Sequence, residues 1–94
     1  MKGTVLQMTI DKKELFEKVK AYCEEQYAEI EKDFEYFPYV PKRRLVDNAA
    51  KRAYGVVMFV TNNLIGWDES LELTNWWNDD MNLRFWYKQL EFTE

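Results

Sequence analysis

Apolar residues recur along this chain at helical spacing. After Phe16 they fall at Val19, Cys23, Tyr27, Ile30, Phe34 and Phe37, steps of three and four that trace one helical stripe. Asp11 reads as the N-cap of this helix, Glu14 completes a capping box, and Ile10 and Leu15 are spaced for a hydrophobic staple. Pro38 ends the pattern, so a first helix is predicted over residues 11–37. Tyr39-Val40-Pro41 then forms an extended connector.

A second stripe runs through Val46, Ala50, Ala53, Val57, Val60 and Leu64, widened by Ala49 and Val56. It predicts a helix over 42–65, with Pro41 tolerated at its start and Gly66 as its C-cap. The almost wholly apolar run from Tyr54 to Val60 would suit a buried strand equally well. The alanines and the sustained 3-4 spacing select helix.

The third segment, 68–92, gives a conflicting pattern, with Asp68 or Ser70 available as its cap. At 100° per residue, Leu73, Trp76, Leu83, Tyr87 and Leu90 share one face with Trp86 at its border, and Asp80 falls among them. Trp77, Met81 and Phe85 form a second apolar row on nearly the opposite side. A helix wet on one side does not carry two such rows, so a break near 78–80 or a second burial surface is implied. The row Trp77, Met81, Phe85 is therefore the expected partner-binding or self-association surface. A competing expectation pairs Thr4–Ile10 with Leu83–Thr93, both rich in strand formers, as a short β ribbon of the two termini. Residues 1–10 otherwise read as an extended or disordered segment. The fold class expected over 1–94 is a single, mostly α domain. It is a small three-helix antiparallel bundle, or four-helix if the third segment divides.

Composition narrows the chemistry. The 94 residues include no His and a single Cys, so neither a Cys-His nor a Ser-His-Asp nucleophile arrangement is available, and neither is a Cys-rich zinc site. Cys23 lies on the apolar stripe and reads as a small buried hydrophobe. No phosphate loop, dinucleotide fingerprint or metal-ligand spacing is present, so no cofactor and no catalytic role are expected. The longest nearly unbroken apolar run, Ala53 to Val60, is far below the about 20 residues that cross a bilayer. The first residues lack a signal-peptide core, which makes a cytoplasmic protein the expectation.

Charge is segregated. Residues 11–35 carry 5 Lys against 9 acids, 36–66 carry 5 cations against Asp47, and 67–94 carry Arg84 and Lys88 against 7 acids. The basic middle offers an alternative nucleic-acid ridge at Arg43, Arg44, Lys51 and Arg52, beside Tyr36, Phe37 and Tyr39. The acidic column Glu25, Glu29, Asp33 offers the inverse, a mimic of a phosphate backbone. A net charge of −4 runs against the usual basic footprint of nucleic-acid binders, and oppositely charged neighbours are expected to neutralise one another on packing. The functional expectation is a small acidic, non-catalytic interaction or accessory module that binds a protein partner or itself.

Overall fold

A computed structural model of the chain describes residues 11–92. Helix α1 spans Lys12–Ala28 and α2 spans Ile30–Tyr36, separated by one looser turn at Glu29. Asp11 caps α1 as its position predicts, its carboxylate accepting from the backbone N–H groups of Lys13 and Glu14 at 3.1 and 3.3 Å. Ile10, the proposed staple partner, lies outside the described residues. Helix α3 spans Lys42–Asn63, and Phe37 closes α2 immediately before Pro38.

The third segment begins as α4 (Trp67–Trp76), widens into a π-turn over Trp77–Met81, and continues as α5 (Asn82–Leu90). Gly66 is not the C-cap of α3. That place is taken by Leu64, and Gly66 is the N-cap of α4. Ser70, a cap candidate from its sequence position, instead donates its hydroxyl to the Thr61 carbonyl at 2.9 Å. Asp68 and Glu69 sit in the first turn of α4, where the helix dipole favours acids.

The three long elements form a bundle around α3. Contacts of α1–α2 with the third segment keep the same order along both: Lys12 with Glu69, Glu24 with Arg84, Glu31 with Lys88, and Phe34 with Phe92. The first and third segments are therefore parallel, and α3 runs antiparallel between them. Val46, Ala49, Ala53, Val57 and Val60 form its buried stripe. The alanines let α1 come close enough for the Cys23 Sγ to lie 3.8 Å from the Ala53 carbonyl oxygen.

The expected outward row is corrected by the π-turn. Trp77, Met81 and Phe85 are core residues, 4%, 0% and 2% exposed, and they continue the line begun by buried Leu73. The reason is geometric. From Leu73 to Phe85 a regular α-helix would drift about 120° off its starting face, and one extra residue in the turn takes back about 100°. The Asn82 N–H bonds to the Trp77 carbonyl, five residues back, which marks that extra residue. The segment is dilated at 77–81 and not broken. Asp80, which would otherwise sit on the buried side, is turned outward and binds Arg84 at 2.9 Å. Leu83–Leu90 are helical, so the strand expected there does not form, and Thr4–Ile10 lie outside the described residues.

Burying a side chain the size of Trp77, Met81 or Phe85 is worth about 1.5–3 kcal/mol each, against about 0.5–1.5 kcal/mol for a typical helical hydrogen bond. Burial wins, and the helix yields. Deletion of Asp79 should convert the π-turn to regular α-helix while keeping Leu73, Trp77, Met81 and Phe85 in line. Its stability should stay within about 1–2 kcal/mol of the parent in urea unfolding. Insertion of one alanine after Asp79 turns Phe85 a further 100° away and should cost at least about 3 kcal/mol. The reverse ranking would refute the register.

Candidate protein-interaction surface

In α5, with Phe85 fixed inward, Leu83, Trp86, Tyr87 and Leu90 lie on the opposite side at i, i+3, i+4 and i+7. They are 43%, 56%, 66% and 52% exposed. Taking roughly 150–250 Å² for each fully exposed side chain, the stripe shows on the order of 400 Å², the size of the largest patch on a typical monomer. Upstream, Trp67 and Leu71 are also exposed, one turn apart on α4.

The two cations of α5 do not share this outer face. Arg84 lies over the Tyr27 ring at 5.8 Å and grips Glu24 with both terminal nitrogens, Nη1 at 2.9 Å, while its Nε binds Asp80. Lys88 reaches Glu31 at 2.7 Å and its side chain is only 17% exposed. The Glu24 hydrogen bond, the largest influence, raises the Arg84 pKa, and the Glu31 hydrogen bond raises that of Lys88. The Lys88 contact thus contributes throughout neutral pH and is lost only as pH climbs past the ordinary lysine range. These pairs fasten α5 to α1 and α2 and leave Asp79, Asp80 and Glu91 exposed beside the apolar stripe.

The other sequence candidates are brought to the groove between α1–α2 and α3. Asp33 lies 3.6 Å from Arg52, whose Nε donates to the buried Gln26 at 2.6 Å. Lys51 pairs with Asp47 at 3.0 Å. Two members of the basic ridge are thereby offset, while Arg43 and Arg44 are exposed, as is Glu25; Glu29 is half-buried. The open cleft here, about 630 Å³, is lined by both charges, Asp33, Arg44 and Arg52 among them, with apolar Phe37 and Val40. Tyr36, Phe37 and Tyr39, beside the basic ridge in sequence, are exposed. Lys42 lies over the Phe34 and Phe92 rings at 5.2 and 5.5 Å.

Among the described residues, no cluster of three or more His, Cys, Asp or Glu is placed to hold a metal, and no helix is long and apolar enough to cross a membrane. The α5 stripe was not legible as a surface, because a uniform 100° period places Leu83, Tyr87 and Leu90 with buried Leu73. The one available signal was Asp80, stranded on that same apparent core face. Comparison of the chain with protein-family models, with curated proteins and with solved structures finds no match.

Cys23 is fully buried, and burial, aided by the charge of Glu24, pushes its thiol up to about 12. Iodoacetamide should therefore label the native protein at pH 8 at least about 100-fold more slowly than the urea-unfolded chain. Because the folded pKa is raised above the ordinary thiol value of 9.0, this thiol's contribution to stability is complete below pH 9 and is lost as pH rises toward 12. Cys23→Ala should flatten that alkaline limb. Equal labelling rates in the two states would show the thiol to be exposed.

Proposed function

We propose that this chain is a non-catalytic helical interaction module whose docking surface is the outer face of α5, built by Leu83, Trp86, Tyr87 and Leu90. The observation that supports this reading is the division of labour on that helix. Its apolar side chains other than Phe85 point to solvent while both of its cations, Arg84 and Lys88, are drawn onto α1 and α2. A surface helix kept only for solubility has the opposite arrangement, charges out and apolar groups in. Tryptophan and tyrosine supply large, stiff contact areas, and they concentrate where proteins bind one another. The ion pairs to Glu24 and Glu31 hold α5 in place before a partner arrives, which lowers the ordering cost of docking.

The test compares the parent with the double variant Trp86→Ala, Leu90→Ala. Both sites are solvent-facing, so folding stability should stay within about 1 kcal/mol. Used as baits in the lysate of the source cell, the parent should retain at least one protein that the double variant loses. Identical capture by both, with the variant folded, would remove α5 as the docking surface.

A further inference from the structure

The inference concerns the identity of the partner and rests on the interaction reading above. With one residue taken back at the π-turn, Trp67, Leu71, Leu83, Trp86, Tyr87 and Leu90 fall within about 100° of one another around the helix, the width of a single amphipathic stripe. The stripe is about 35 Å long at 1.5 Å per residue. On the scale used above, its six side chains show on the order of 700 Å² to solvent. A standard interface takes about 800 Å² from each partner, about 65% of it apolar in homodimers, so the stripe alone suffices for one. Around the helix, Trp67 and Trp86 lie toward one edge, Leu71 and Leu90 about 40° on, and Leu83 and Tyr87 toward the other edge.

We propose that the stripe is the interface of a homodimer in which the α4–α5 segments of two copies pack side by side and parallel, about a two-fold axis that runs along them. That axis exchanges left and right without changing height. Trp86 of each copy therefore meets Leu83 and Tyr87 of the other, while Leu71 and Leu90 meet their own counterparts at the axis. The stripe's two borders fit each other in the same way. Asp79 lies on the border toward α1, exposed and without a cation in any salt bridge. On the border toward α3, Lys51 shares a hollow with Asn78 and Asn82, which bracket Asp79 in height. The two-fold brings Asp79 of each copy to Lys51 of the other, twice per dimer. Elsewhere the borders are already mixed, Glu72 sharing a hollow with Lys12, Lys13 and Lys20, and Glu91 one with Lys42 and Arg43. No block of one sign therefore meets itself. An antiparallel pair joins like borders instead and sets Asp79 against Asp79 near its axis. Asn75 and Asn78 interrupt the apolar seam, which places pairing at the weak end of specific association, about 10–100 µM, with single chains at about 1 µM.

The experiment is sedimentation equilibrium of the full chain from about 1 to 300 µM, where the mass should rise from one chain to two. Trp86→Ala with Leu90→Ala should raise the dissociation constant at least tenfold, since each change counts twice in a two-fold pair. Asp79→Lys alone and Lys51→Glu alone should each weaken pairing at least fivefold, and an equal mixture of the two variants should pair within threefold of the parent. Glu25→Gln, on α1 and away from the stripe, should change it less than twofold. A single-chain mass at all concentrations overturns the proposal, as does a dimer indifferent to Trp86 and Leu90. A mixture that pairs no better than its components overturns the parallel register. Should the chain stay single while the Trp86, Leu90 variant still loses a captured protein, the second copy falls and the interaction surface stands. Should both fail, both fall.

Discussion

An α-helix turns 100° per residue, and a line of side chains four apart therefore slides around it by about 40° at each step. Leu73, Trp77, Met81 and Phe85 are such a line, and all four are buried against α3 and α1. They can be buried together only if the helix gives up its regular period, which it does between Trp77 and Met81. Everything distal to that turn inherits the new phase. Phe85 meets Trp77 at 6.0 Å and Tyr27 at 5.4 Å, and Phe92 meets Phe34 at 5.2 Å. The same shift carries Asp80 out to solvent and Leu83, Trp86, Tyr87 and Leu90 with it. One extra residue in one turn thus completes the core and creates the exposed stripe.

The polar contacts secure this arrangement without supplying most of its stability. Arg84 and Lys88 are partly screened surface groups, and such pairs are typically worth about 0–1 kcal/mol each. Their effect is on register and charge. They join Glu24 and Glu31 to the third segment at matching heights, which holds the first and third segments parallel, and they withdraw positive charge from the outer face. An apolar stripe with an acidic border is what remains. In the groove on the other side of the molecule the charges do the reverse, Arg52 closing onto Asp33 and Gln26.

How much of this could be read in the sequence differed by segment. Asp11, Pro38 and the 3-4 spacing of Val19, Cys23 and Ile30 gave the first helix, because caps and amphipathic periodicity are local properties. The alanines and valines of α3 gave its buried face for the same reason. Gly66 reads as the C-cap of α3 but is the N-cap of α4, since glycine marks both kinds of helix end. The third segment failed on phase alone. Its helical nature is legible, but a uniform period ranks its two apolar rows the wrong way round, with the inward row Trp77, Met81, Phe85 as the outward one. A π-turn is fixed by competition between tertiary burial and the local ladder, and Asn78-Asp79-Asp80 carries no motif that announces it. The two rows at odds, with Asp80 in the wrong one, were its sequence-level trace.

The central claim is that Trp77 is inside and Trp86 outside, the reverse of a uniform count. Acrylamide quenching of two single-tryptophan variants measures this directly, with the other three tryptophans changed to phenylalanine in each. The protein retaining Trp77 should show blue-shifted emission and quenching at least about fivefold weaker than in urea, as for a core indole. The protein retaining Trp86 should emit near the solvent-exposed wavelength and quench almost as in urea. A shielded Trp86 in monomeric protein, or a freely quenched Trp77, would contradict the register on which the fold and the proposed surface both depend.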